Sequence, residues 1–185
     1  EIIRFPFGPK RYIRKELLWN FLDDLANQLI KFLQNQPKLP DWIHAHYADA
    51  GYVGALVSKK LGIPLVFTGH SLGKEKKRRL LESGMDHNQI ENMYSIGRRI
   101  EAEEIALSNS TLIVTSTSQE SKNQYAKYAN FISSKAHVIS PGVDLKRFTQ
   151  TKNDEESEQI DKLMMPFLRN PSLPPLLAIS RAVRR

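Results

Sequence analysis

The stretch DWIHAHYADAGYVGALVSKKLGIPLVFTG, residues 41–69, limits the possible folds more than any other part of this chain. Trp42 to His46 reads as a buried strand, followed by a Gly-containing turn and a helix from about Gly51 to Leu61. IPLVFTG is then a second strand, continuously apolar and rich in β-formers. Such runs suit a parallel sheet covered on both faces. Strand, helix and strand within about 30 residues make a βαβ unit.

The rest of the chain extends that alternation. Ile2 to Phe7 reads as a short strand ended by Pro9, and Tyr12 to Gln36 as one long amphipathic helix stopped by Pro37 and Pro40. Helices are expected over about 74–83 and 88–107, a strand at TLIVTST, and a helix at SQESKNQYAKYA with Ser118 or Thr117 as its cap. AHVIS is a further strand, residues 151–170 carry another helix, PSLPP is a linker and LLAIS opens a new strand. No internal repeat is present. The expectation is an α/β fold with a doubly wound, mainly parallel, Rossmann-like sheet. Ligands of such sheets bind outside the carboxyl ends of the strands, which directs attention to the loops after each strand.

The chain has 185 residues, 41% hydrophobic and 25% charged, as expected of a soluble globular protein. No apolar run approaches the roughly 20 residues needed to cross a bilayer. With no Cys there is neither disulfide nor thiolate chemistry, which is compatible with a cytoplasmic location. The N-terminus does not read as a secretory signal. A net charge of +7 suits an anionic partner: nucleic acid, an acidic membrane face or a phosphorylated metabolite.

The loop GHSLGKEK carries the strongest local logic for an anion. Gly69 and Gly73 permit a tight turn, Ser71 offers a hydroxyl, Lys76 a charge, and the following helix a positive N-terminal end. The spacing is not that of the nucleotide P-loop. A plain strand-to-helix turn with a solvated basic helix is the competing reading. Arg98 and Arg99 precede EAEE; Arg99 and Glu103 are spaced for an ordinary surface ion pair, whereas a guanidinium aimed inward would grip a phosphate. His44 and His46 share a strand face, but nothing is spaced to complete a metal site, so no metal is expected. The EAEE carboxylates read as a charged helix face rather than an acid/base pair.

Taken together, FPFGPKRYIRKELLW, HAHYADAGYVG, FTGHSLGKEK, RRIEAEE, TSTSQE and ISPGVDLKRF resemble the sucrose-phosphate synthases, retaining glycosyltransferases of the two-domain GT-B fold. The resemblance implies transfer of glucose from UDP-glucose to fructose 6-phosphate, giving sucrose 6-phosphate, with no cofactor beyond the donor substrate. It implies that Lys15 and Tyr47 contact the acceptor. Ser71, Lys76 and Arg99, with Arg98, would bind its phosphate, and His70 would lie near the transferred glucose. Arg181 would bind the donor diphosphate. Residues 1–170 would be most of the amino-terminal acceptor domain, and 171–185 a linker and the first strand of the donor domain, so that the piece alone would be inactive. Two alternatives stand beside this reading. One is a sucrose synthase using free fructose, disfavoured by Gly69 and Gly73. The other is a non-catalytic module binding nucleic acid or another anion, disfavoured by the lack of aromatic interleaving.

Overall fold

The computed structural model describes residues 2–148, 154–170 and 172–173. The chain divides into two compact units, Glu1–Pro141 and Gly142–Arg185, so the 170/171 boundary read from the sequence falls inside the second.

The first unit is built on four parallel strands in the order β1-β2-β3-β4: β1 Ile43–His46, β2 Leu65–Thr68, β3 Ser110–Thr115 and β4 Ala136–Val138. The expected parallel α/β, Rossmann-like sheet is what the chain forms. Helix α1, Leu22–Gln34, follows a 3-10 helix at Lys15–Phe21, and α2, Tyr47–Leu61, joins β1 to β2. Three helices separate β2 from β3: α3 Gly73–Glu82, α4 His87–Tyr94 and α5 Ile96–Asn109. A short α6, Ser118–Asn123, leads from β3 toward β4. Each connection advances one strand in the same direction, which lays α2 and α5 side by side against the sheet.

Two apolar clusters hold this together. Leu65, Phe67 and Ile113 of the sheet pack with Ala106 and Leu107 of α5 and with Leu72, Tyr125 and Tyr128. Leu22 and Ala26 of α1 pack with Val53 and Val57 of α2. Burying each large side chain in them contributes about 1.5–3 kcal/mol. Gly51 lets α2 come close: a Cβ there would lie 2.6 Å from Phe67 Cε2 and 3.0 Å from Ala106 Cβ.

Local differences from the expected elements have identifiable causes. Ile2 to Phe7 forms no strand; Gln28 Nε2 donates to Pro6 O at 3.0 Å and Phe5 meets Phe32 edge-on at 5.3 Å, so the segment lies along α1 instead of pairing. The long first helix opens as a 3-10 turn and becomes α-helical only at Leu22. The helix expected over 88–107 breaks at Ser95, which takes φ +45. Glu91 stabilises the break, accepting from Ser95 N at 2.8 Å through its carbonyl and from Gly97 N at 2.9 Å through its carboxylate. Thr117 caps α6, accepting from Glu120 N at 3.0 Å.

The second unit contains α7, Asp154–Met164, and a 3-10 turn at Met165–Phe167. The strand expected at LLAIS, with Arg181, lies outside the described residues.

Candidate active site

The carboxyl ends of β1 and β2 carry two tight, left-handed junctions. No loop separates β1 from α2; Tyr47 makes the turn with φ +75. After β2, Ser71 N donates to Gly69 O at 2.6 Å, closing a three-residue turn whose apex is His70 at φ +57. Non-glycine residues in this region cost on the order of 1–3 kcal/mol and persist where the surroundings impose them. The two glycines of GHSLG have a different role from the one expected. A Cβ on Gly69 would lie 2.6 Å from Leu72 Cδ2 and 2.8 Å from Tyr125 Oη. One on Gly73 would lie 2.9 Å from both Glu103 Oε2 and Ile100 Cγ1. They make room for protein groups, and His70 supplies the turn.

Those protein groups form a buried network under the loop. Glu103, fully buried, accepts from Gly73 N at 3.0 and 2.9 Å, from Arg99 Nε at 3.0 Å and from the Tyr128 hydroxyl. Burial pushes its carboxyl above the usual range, against the pull of Tyr128 and Arg99. Tyr128 Oη also accepts from Lys74 N at 3.0 Å, and Tyr125 Oη accepts from Gly69 N at 2.7 Å. The amides of Gly73 and Lys74 at the start of α3 are therefore already bonded, so the expected donation by them to an anion is not available. Sequence reasoning missed Glu103, Tyr125 and Tyr128 as its supports; only the Arg99–Glu103 spacing signalled one of them.

The basic run is equally divided. Arg78 and Arg79 bond Glu75, Arg78 also bonds Glu82, and Lys127 joins Glu75 at 3.1 Å. Lys74 donates to Glu104 at 2.8 Å and to Lys127 O at 2.8 Å. Glu104 accepts further from the amides of Ala129 and Asn130. Lys76 alone of these lines a pocket, together with Lys15 and Arg99.

In that pocket Lys15 Nζ donates to Tyr47 Oη at 3.3 Å. The Arg99 guanidinium carbon stands 4.6 Å from the Tyr47 ring centre, and Lys76 Nζ 3.7 Å from that of Tyr94. Arg99 is buried, and its Nη2 donates to Ser71 O and lies 3.4 Å from Ser71 Oγ. Glu16, Trp19 and Asp49 complete the wall. Burial, then the charges of Lys15 and Arg99, hold the Lys76 ammonium down at about 8. Burial raises the Asp49 carboxyl, opposed by the same two cations. In this lining the three cations outnumber the two carboxylates, Glu16 and Asp49.

Of the residues singled out from sequence, the structure brings Lys15, Tyr47, Lys76 and Arg99 to one pocket; Ser71 lies outside its lining but touches Arg99. Arg98 lies outside that lining, its Nη1 donating to Asn20 Oδ1 at 2.7 Å. His70 sits among histidines: its Nε2 is 2.8 Å from His46 Nδ1 with ring centres 5.1 Å apart, and the His44 ring centre lies 4.1 Å from that of His46. Among the described residues no group of three or more His, Asp or Glu is arranged to hold a metal ion.

The model of Glycosyltransferase Family 4 matches residues 2–147, most of the chain. The chain belongs to this family. Its relatives within family 4 include a probable sucrose-phosphate synthase 2 of Craterostigma plantagineum, 36% identical over 97% of this chain and 21% of the relative. The sucrose-phosphate synthase of Spinacia oleracea is 42% identical over 70% of this chain and 14% of the relative. The chain thus spans about a fifth of the length of most of the relatives it matches. Among solved structures, a sucrose-phosphate synthase from Thermosynechococcus elongatus matches 85% of this chain and 36% of its own, with a TM-score of 0.64 and 21% identity. HepE of Anabaena, solved with UDP and glucose, matches 85% of this chain and 35% of its own, with a TM-score of 0.52 and 17% identity. These likenesses carry the fold, that of GT-B glycosyltransferases. No helix among the described residues is long and apolar enough to cross a membrane.

Proposed function

We propose that the protein carrying this chain transfers glucose from UDP-glucose to fructose 6-phosphate, with retention, and that the pocket of Lys15, Lys76 and Arg99 holds the acceptor phosphate. The observation that carries this reading is the convergence of three cations, from the 3-10 helix, α3 and α5, on one half-buried space. A dianion there gains several charge-assisted contacts and relieves their mutual repulsion. The relatives named above support the choice of substrates.

Each residue then has a role. Lys15, Lys76 and Arg99 neutralise the phosphate, Ser71 Oγ adds a hydrogen bond, and Tyr47 positions the sugar end. Arg98 is left out of the phosphate site. His70, at the strained apex, would face the transferred glucose, and Arg181 would bind the donor diphosphate. Of the EAEE carboxylates, Glu103 and Glu104 are engaged in hydrogen bonds and Glu101 is exposed and outside the pocket lining, so none is placed as a nucleophile or acid. This fits a retaining transfer with no protein nucleophile. A second, donor-binding domain beyond about residue 170 and a cytoplasmic location complete the reading; no metal or other cofactor is required.

Steady-state transfer from UDP-glucose tests it. Fructose 6-phosphate is expected to be strongly preferred over fructose. Lys76→Ala should raise the KM for fructose 6-phosphate about tenfold or more while leaving that for fructose unchanged, since a hydrogen bond to a charged group contributes about 1.5–3 kcal/mol. Equal use of both acceptors would instead favour a sucrose synthase. Binding of nucleic acid without either sugar would favour an anion-binding module.

A further inference from the structure

Three imidazoles, His44, His46 and His70, stand in one row at the carboxyl end of β1 and β2. His44 and His46 project from the same face of β1, two residues apart, with ring centres 4.1 Å apart. His70 returns from the turn after β2 and meets His46 edge to edge, with ring centres 5.1 Å apart and 21° between planes. The contact is directional as well: His46 Nδ1 and His70 Nε2 are 2.8 Å apart. At the far end, His44 Nε2 lies 2.9 Å from the buried Thr68 hydroxyl. The register pairing His46 with Thr68 across β1 and β2 sets this spacing.

We propose that His46 is a positioning residue for His70, fixing the plane and the tautomer of its ring through the Nδ1–Nε2 hydrogen bond. This deepens the reading of His70 as the group beside the transferred glucose, and rests on it. The physical case has three parts. His70 is exposed and stands on a left-handed backbone, so nothing from its own turn holds the side chain. A hydrogen bond between two imidazole nitrogens needs one protonated and one bare, so each ring dictates the other's tautomer. With Nε2 of His70 committed to His46, Nδ1 is the ring nitrogen left for a substrate. Burial, and then its two neighbouring imidazoles, hold His44 below the ordinary value.

His46→Phe keeps a flat ring in place and removes the hydrogen bond. His46→Asn retains an amide near the place of Nδ1. With UDP-glucose and fructose 6-phosphate as substrates, His46→Phe should lower kcat roughly three- to tenfold without raising the KM for fructose 6-phosphate, and His46→Asn should recover part of the loss. Nitrogen-15 spectra of the imidazoles should show one His70 tautomer in the wild type and a mixture in His46→Phe. A His46→Phe protein with wild-type kcat and an unchanged His70 tautomer would overturn the proposal. So would a rise in KM with no recovery by His46→Asn, which marks a merely structural role. His70→Ala separates the two levels. If it leaves kcat unchanged, the reading of His70 falls and this inference with it; if it lowers kcat while His46→Phe does not, only the inference falls.

Discussion

At the residue scale the decisive group is Lys76. Its ammonium is held down to about 8 because burial and two neighbouring cations oppose its charge. A phosphate dianion bound beside it would favour the charged form and raise that value. Binding then takes up a proton wherever the pH lies between the free and bound values, so affinity falls as pH rises through about 8. On the acid side the phosphate itself protonates near pH 6. Affinity for fructose 6-phosphate measured by titration calorimetry should therefore be flat between about pH 6 and 8 and weaken above it, and Lys76→Met should remove the alkaline weakening. Lys76 and its partners were legible from sequence as types but not as a set. KEKKRR reads as a uniform charge run, yet Glu75 and Glu82 tie up Arg78 and Arg79 on the solvent side. Which cation of a run faces inward depends on packing partners far along the chain, here Tyr94 and Arg99.

At the scale of elements, the loop between β2 and α3 is shaped by α5 and by the segment after α6. Arg99 and Glu103 are one turn apart on α5 and both buried, so the pair does more than a surface bridge: Arg99 reaches Ser71 while Glu103 closes the start of α3. Removing one partner of a buried pair leaves an uncompensated charge, at a cost of about 3–5 kcal/mol. Glu103→Ala should lower the urea-unfolding free energy by that amount; a loss below about 1 kcal/mol would show that the network is not what holds the loop. The sequence made β2 and β3 readable because Leu65, Phe67 and Ile113 are buried in the sheet, whereas β1, expected to be a buried strand, buries only Ala45 and leaves Trp42, His44 and His46 exposed. It misled at Ile2 to Phe7, where alternation signalled a strand but Phe5 and Phe7 pack onto α1. It also misled at Ser95, where a left-handed residue carries no helix-breaking signature of its own.

At the scale of the whole molecule, the sheet acts as a frame that gathers groups from distant parts of the chain at one edge. Lys15 arrives on the 3-10 helix before α1, Tyr47 on the first residue of α2, Lys76 on α3 and Arg99 on α5. The central claim is that these act as one phosphate site, and a double-mutant cycle on acceptor affinity tests it most directly. Titration calorimetry with fructose 6-phosphate against the wild type, Lys15→Ala, Lys76→Ala and the double variant should give losses that fail to add, with a coupling of at least about 0.5 kcal/mol. The same variants should leave the affinity for fructose untouched. Strictly additive losses, or equal losses for both sugars, would mean that the two lysines do not share a phosphate.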